Sequence, residues 1–298
     1  MKKIMLLMSI LFLAIITQAE TKEVADADST KAWTKGTDGN ISFSQISFND
    51  WAAGGENSLA TTGVFNFFLK YKNKYNTWEN NLHIGYGLMR IDGADYKKSD
   101  DKIQFESKYG LEASKKWFYS GALNFKTQFS IGYKYKDDTK TKVSNYLAPA
   151  YMTYSLGMDY KPTDNLSLLI SPATGKTTFV YDDDLSEAGN FGVDPGKNIK
   201  SEVGAFVKMR YKTLILKNIE LASNIDFFSS FTNHPENIDV NWDVFIMMKV
   251  NKYISTNIQT TFIYDDDIDI AYKEGKSGPR IQFKELFGVG FTYKLLSK

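Results

Sequence analysis

Cysteine is absent from the 298 residues, which removes disulfides, cysteine metal sites and thiol catalysis in one step. Histidine is nearly absent: His83 and His234 are the two that occur. Beyond residue 16 no stretch approaches the roughly 18 consecutive apolar residues of a spanning helix. Charge of one sign is not in excess either. The net charge is +1, so no global field draws nucleic acid or binds anionic surfaces strongly. Aromatic residues, by contrast, are plentiful, with Phe, Tyr and Trp making up 15% of the chain at a mean hydropathy of -0.34. Many rings beside many charges, without long apolar runs, fit a chain with one face toward lipid and one toward water.

The first residues read as an export signal. Lys2 and Lys3 precede the apolar run Ile4 to Ile16, and Thr17-Gln18-Ala19 offers the small residues of a cleavage site. The run is too short for a spanning helix, which needs roughly 17–25 residues. The expected organisation is a signal peptide over 1–19, a flexible periplasmic lead-in over 20–40, and a folded unit over 41–298.

From residue 59 onward the dominant pattern has period two. Trp117, Tyr119, Leu123, Phe125, Phe129, Ile131, Tyr133 and Tyr135 alternate with Phe118, Ser120, Asn124, Lys126, Gln128, Ser130 and Lys134. Successive side chains of a strand point to opposite faces, so this predicts one long strand from Trp117 to Tyr135 with an apolar and a wet side. The same alternation recurs over 103–112, 202–212, 238–250 and 281–295, and less regular candidates lie near 41–48, 59–72, 77–91, 151–161, 166–180, 217–231 and 252–264. Twelve strands are expected. Their connections alternate between short ones, such as Asn73–Asn76 and Ser114–Lys116, and long ones, such as Lys136–Ala150 and Tyr181–Ile199. Short turns at one end and long loops at the other mark an outer-membrane barrel. The predicted class is therefore all-β, an antiparallel transmembrane β-barrel in the cell outer membrane, with both termini on the periplasmic side. Tyr71, Trp78, Trp117, Tyr119, Tyr133, Tyr135, Tyr160, Tyr211 and Tyr293 are expected to form belts at the lipid–water boundary.

The run Asn49-Asp50-Trp51-Ala52-Ala53-Gly54-Gly55-Glu56-Asn57-Ser58, followed by Trp78, Asn80, Asn81 and Gly85-Tyr86-Gly87, resembles an outer-membrane family of Bacteroidota, domain of unknown function 3078. The resemblance fades after about residue 135. It implies an outer-membrane barrel in such an organism and implies no activity. Trp51, Gly54, Gly55, Glu56 and Asn57 carry it. They make either a constriction or ligand contact at the barrel mouth, or a tight glycine turn with a packing Trp.

Chemistry has little foothold. Outer-membrane phospholipases carry a His-x-Ser pair, and His83-Ile84-Gly85 lacks the serine. His234 could meet Asp182-Asp183-Asp184 or Asp265-Asp266-Asp267 as in omptin-like surface proteases, although acidic residues are common in solvated loops. Neither Asp triplet has the spacing of a calcium loop. No enzyme, cofactor or metal is expected.

The inward set is more informative. Glu79, His83, Glu106, Lys108, Glu112, Lys126, Lys134, Glu202, Lys208, Arg210, Asp226, Asp243, Lys249 and Lys284 are expected to face the lumen. Such a mixed-sign interior either lines a water-filled pore or pairs across it and closes it. The leading expectation is a channel or diffusion pore for small solutes. The alternative is a closed structural or surface-interaction barrel, and a surface hydrolase comes last. Outer-membrane lipid, lipopolysaccharide and the barrel-assembly machinery are the expected partners. Gly290, Tyr293 and Leu295 fit the spacing of an assembly signal.

Overall fold

The computed structural model describes residues 33–47, 56–91, 93–136, 139–232, 234–273 and 276–297. The expected signal 1–19, and Trp51, Gly54 and Gly55 of the family run, lie outside the described residues. In chain order the strands are β1 (Trp33–Ile46), β2 (Ser58–Lys72), β3 (Asn76–Ile91), β4 (Lys97–Ser114), β5 (Trp117–Thr127), β6 (Gly132–Lys136), β7 (Thr139–Ser144) and β8 (Ala150–Thr163). They continue as β9 (Leu166–Phe179), β10 (Ile199–Leu216), β11 (Ile219–Ser230), β12 (Asp239–Lys249), β13 (Ile254–Tyr264), β14 (Asp269–Lys273), β15 (Lys276–Pro279) and β16 (Gln282–Ser297).

Twelve of these close into an antiparallel barrel in the order β1-β2-β3-β4-β5-β8-β9-β10-β11-β12-β13-β16, with β16 returning to pair with β1. β6 pairs with β7 and β14 with β15, forming two hairpins outside the ring. The connections sort as the sequence predicts. Turns of a few residues join strands at one end, and the long connections, both hairpins and a one-turn helix (Asp183–Glu187) gather at the other. These are called the turn end and the loop end below.

Two sequence expectations are corrected. The stretch Trp117–Tyr135 is not one strand. At its neighbours' edge β5 stops at Thr127, because the backbone N–H groups of Phe129 and Ser130 leave the ladder and donate to the Asp101 carboxylate, at 2.7 and 2.9 Å. Lys134, Tyr133 and Tyr135 consequently sit on the hairpin β6–β7 and not on the barrel wall. Residues 33–40, expected in the lead-in, belong to β1, which pairs with β2 from Trp33 opposite Tyr71 to Ile46 opposite Ser58.

The alternation that forms the strands also sorts the two faces. Outward rings are exposed, while the inward side chains of β9, β10 and β11 are packed: Leu169, Phe206 and Phe228 are buried together, with Ala122 of β5 against them. A wholly polar lumen would have no such cluster. Outward tryptophans still satisfy their N–H groups. Trp78 Nε1 donates to Ser107 Oγ and Trp242 Nε1 to Ser223 Oγ, both at 3.0 Å and both on the adjacent strand. At the turn end Trp33 lies against Tyr71 and Trp78, with ring centroids 5.0 and 6.0 Å away, and Trp117 lies 4.7 Å from Tyr160.

At the loop end the β9–β10 connection folds back on itself. Val180, Leu185 and Val193 are buried with Ala148 from the preceding loop, and Phe191 packs against them. Asp182 caps the short helix by accepting from the Leu185 N–H at 3.2 Å.

Candidate functional site

The lumen is crossed by ion pairs at several levels. Toward the turn end, Lys108 of β4 reaches Asp159 of β8 at 2.6 Å, and Asp159 is 0% exposed. Ser167 bridges the same pair, accepting from Lys108 at 2.8 Å and donating to Asp159 at 2.7 Å. Lys161 of β8 reaches Glu79 of β3 at 2.7 Å. A buried carboxylate survives in low dielectric only with partners of this kind.

One level higher, Glu106 of β4 takes both Lys208 and Arg210 of β10, which stand four strands away around the ring. Two cations from one strand on a single carboxylate pull the β4 and β10 walls together. A cavity of about 30 Å³, the space of one water, is left beside them, lined by Asn124, Ser155, Ser167 and Leu169 among others.

Above this, Lys102 of β4 meets Asp243 of β12 at 3.4 Å. β12 is six strands from β4 in either direction around the twelve, so the pair joins opposite walls. Thr261 supports it by donating to Asp243 at 2.6 Å. Lys284 of β16 pairs with Asp100 of β4, again across the interior. His83 belongs to this level but to a different chain of bonds. Asn66 Nδ2 donates to Asp38 at 2.8 Å, which leaves Asn66 Oδ1 as the acceptor 2.6 Å from His83 Nδ1. That network assigns the proton to Nδ1.

At the loop end Lys176 joins Asp239 at 2.6 Å and Asp265 at 3.3 Å, and Lys200 joins Asp267 at 2.5 Å and Glu202 at 3.4 Å. Asn237 donates to Asp266. The triplet 265–267 is therefore committed to side chains of neighbouring elements. The other triplet is engaged as well, since Lys142 of the β6–β7 hairpin contacts Asp182 at 2.7 Å and Asp184 at 2.5 Å, and Asn145 donates to Asp182 at 2.8 Å. Hydrogen bonds to the two carboxylates hold the Lys142 ammonium above its ordinary value. For Asp182, burial pushes the carboxyl up, but the bonds from Lys142, Asn145 and the Leu185 N–H outweigh it and hold the group below the usual carboxylate range.

The sequence-derived set thus divides. Glu79, His83, Glu106, Lys108, Glu202, Lys208, Arg210, Asp243 and Lys284 sit in the networks just described, and Asp226 accepts from Asn241 at 3.2 Å. Lys126 lies on the inward face of β5, and among the described residues no carboxylate comes within 4.0 Å of its ammonium. Glu112 and Lys249 stand at strand ends near the turns. Lys134 is the exception noted above. Their partners Asp100, Lys102, Asp159, Lys161 and Lys200, and Lys176 at the loop end, are outside that set. Continuing the parity of Glu106 and Lys108 back along β4 gives Gln104, Lys102 and Asp100, and continuing Tyr151, Thr153 and Ser155 along β8 gives Asp159 and Lys161.

Of the family run, Glu56 and Asn57 are exposed in the β1–β2 connection. His234 is exposed, with Nδ1 3.2 Å from Glu236, and neither Asp triplet is among its partners in the described residues. Among the described residues no cluster of three or more His, Asp or Glu is placed to hold a metal ion. Gly290 packs in the closing seam, where a Cβ would fall 2.2 Å from the Ile41 carbonyl oxygen of β1.

Residues 43–133 match the model of a family described as "Protein of unknown function (DUF3078)". None of the curated proteins matches the chain. Among solved structures it is similar to the COG4313 outer membrane channel from Pseudomonas putida F1, at 12% identity and a TM-score of 0.40 over 92% of this chain and 100% of that one. It is also similar to the translocator domain of autotransporter NalP from Neisseria meningitidis, at 8% identity and 0.37 over 88% and 87%, and to the NanC porin, at 9% and 0.36 over 87% and 98%. Likenesses of this degree bear on no residue of the lumen.

Proposed function

We propose that this chain is an integral outer-membrane barrel with a shut lumen, serving the envelope as a structural or surface-interaction element and not as an open diffusion pore. The membrane half of the reading rests on the outer face. Leu156, Val203, Phe287 and Phe291 are 68%, 56%, 63% and 64% exposed, and they stand among many other bare apolar side chains on every side of the ring. Soluble monomers rarely leave contiguous apolar patches above a few hundred Å². A closed barrel is the strand arrangement that satisfies every backbone group in hydrocarbon. The rings of Trp33, Tyr71, Trp78, Trp117 and Tyr160 at the turn end suit a lipid–water boundary. On this reading outer-membrane lipid and lipopolysaccharide surround the wall, and the assembly machinery reads Gly290, Tyr293 and Leu295.

The observation that carries the shut lumen is the Lys102–Asp243 pair, because side chains from opposite walls meet where solute would have to pass. The Glu106 pairs stand toward the turn end, and Leu169, Phe206 and Phe228 fill interior space along β9, β10 and β11. A diffusion pore, the leading expectation from sequence, needs a continuous water path, and the cross-lumen pairs occupy it. Refolded protein in planar bilayers is expected to carry no ion current, with a heat-shift gel reporting the folded barrel. Discrete current steps that scale with salt concentration would reinstate the pore.

A further inference from the structure

We propose that the outer face beside the β4–β5 turn binds one anionic phospholipid, with the phosphate on Lys115 and Lys116 and an acyl chain in the hollow next to them. The inference rests on the membrane reading above and adds a defined lipid site to it. The first observation is the shape of the wall. A hollow of about 730 Å³ opens on the outer face across β4, β5, β8 and β9, within the usual range for small-molecule sites of roughly 300–1,000 Å³. Gly121 leaves a gap in the outward row of β5, and Trp117, Tyr119, Leu156 and Ile170 wall it. The β8–β9 ladder shifts register there, with Leu156 opposite Ala173 and Met158 opposite Ile170. A bulge of this kind bends the strand and roughens an otherwise even wall.

The second observation is charge, and it is independent of the first. The residues of the five short turns include Lys74, Lys115, Lys116, Lys217 and Lys252, against the single acid Asp164. All five lysines are exposed. Two lie over aromatic rings of their own turns, Lys74 at 5.1 Å from the Tyr75 centroid and Lys252 at 4.8 Å from that of Tyr253. Lys116 directly precedes Trp117, so lysine and ring share the same depth at three turns. An aromatic ring at headgroup depth with a cation just beyond it matches the order of groups in a phospholipid, chain then phosphate. Lys115 and Lys116 have no carboxylate within 4.0 Å among the described residues, and Trp117 connects them to the hollow. Charge complementarity therefore selects an anionic headgroup, and the hollow supplies the chain's seat. A second copy of the protein would fill the hollow but would leave the two lysines facing another lysine turn.

Native mass spectrometry of the detergent-folded full chain tests this. The probes are palmitoyl-oleoyl phosphatidylglycerol and the phosphatidylcholine with the same chains. One phosphatidylglycerol is expected to remain bound in preference to phosphatidylcholine. Replacing both lysines (Lys115→Gln with Lys116→Gln) is expected to lower its affinity about 25-fold, roughly fivefold per lysine, with phosphatidylcholine unchanged. Gly121→Leu fills the hollow and is expected to weaken both lipids. There is room for it, since a Cβ at Gly121 would meet Leu156 Cδ2 at an ordinary 3.5 Å. Equal retention of the two lipids by a heat-shifting barrel, unaltered in either variant, overturns the site and leaves the membrane reading intact. A dimer that Gly121→Leu dissolves overturns it in favour of a second copy. A chain that stays folded and dispersed without detergent overturns the membrane reading itself.

Discussion

Lys102 and Asp243 rise from opposite walls of the barrel and meet across it, Nζ to Oδ2, at 3.4 Å. Asp243→Ala is expected to cost about 1–3 kcal/mol in urea unfolding of the liposome-embedded barrel, since it strands Lys102 and frees the Thr261 hydroxyl together. Asp243→Asn keeps the size and one acceptor, so it is expected to cost less. Adding Lys102→Ala to Asp243→Ala should recover part of the loss. A double variant as unstable as the sum of the singles would mean that the two residues do not interact.

Glu106 is the more demanding position, because one carboxylate serves Lys208 and Arg210. Glu106→Gln leaves two interior cations with a neutral partner, and a loss of about 2–5 kcal/mol is expected in the same unfolding assay. Lys208→Met, which removes one cation and keeps the chain volume, is expected to be milder. The reverse ranking would place the energy in packing and not in charge.

The loop-end cap should respond to pH at both extremes. Asp182 is held below its ordinary 3.8, so its contribution is present above that value and is lost as acid takes the pH through the lowered folded value. Lys142 is held above its ordinary 10.5, so its contribution is complete below 10.5 and is lost only as the pH climbs through the raised folded value. Hydrogen exchange of segment 180–188, referenced to an unstructured peptide, is expected to show steady protection between about pH 4 and 10 and a fall beyond either side. Lys142→Met should flatten the alkaline fall and lower protection throughout.

Gly290 separates a closure role from an assembly signal. A Cβ there would collide with the Ile41 carbonyl oxygen, whereas at Gly278 nothing lies within 4 Å. Gly290→Ala is expected to lose roughly 1–3 kcal/mol of stability on refolding in detergent without any cellular machinery, while Gly278→Ala refolds normally. Normal refolding of Gly290→Ala in detergent beside failed insertion in cells would assign the glycine to recognition alone.

The wall was largely legible in the sequence because a strand's two-residue period is local, and each inward or outward residue declares its side through its neighbours. Strand number and the sorting of turns from loops followed from that. What lay beyond reach depended on contacts far apart in the chain. Asp101 ends β5 by capturing backbone groups some 28 residues later, and no pattern within 117–135 announces it. Lys134 continues the alternation of 117–135 and still leaves the wall. The period of a strand sorts charges by face, but which of them meet depends on the register of every strand between. Leu169 is hidden from the pattern because the bulge in β9 breaks its alternation, and all three of Leu169, Phe206 and Phe228 face inward as apolar residues against the expectation of a wet lumen.

The pairs across the lumen also make the barrel check its own alignment. Sliding any strand by one residue turns all its side chains to the opposite face, so a slipped β4 would present Lys102, Glu106 and Lys108 to the outer face and Tyr109 to the interior. Because Lys102 answers to β12, Glu106 to β10, Lys108 to β8 and Asp100 to β16, an error in one strand is reported by four others. The network works as a parity code written across the whole ring, complete only when the last strand has closed on the first.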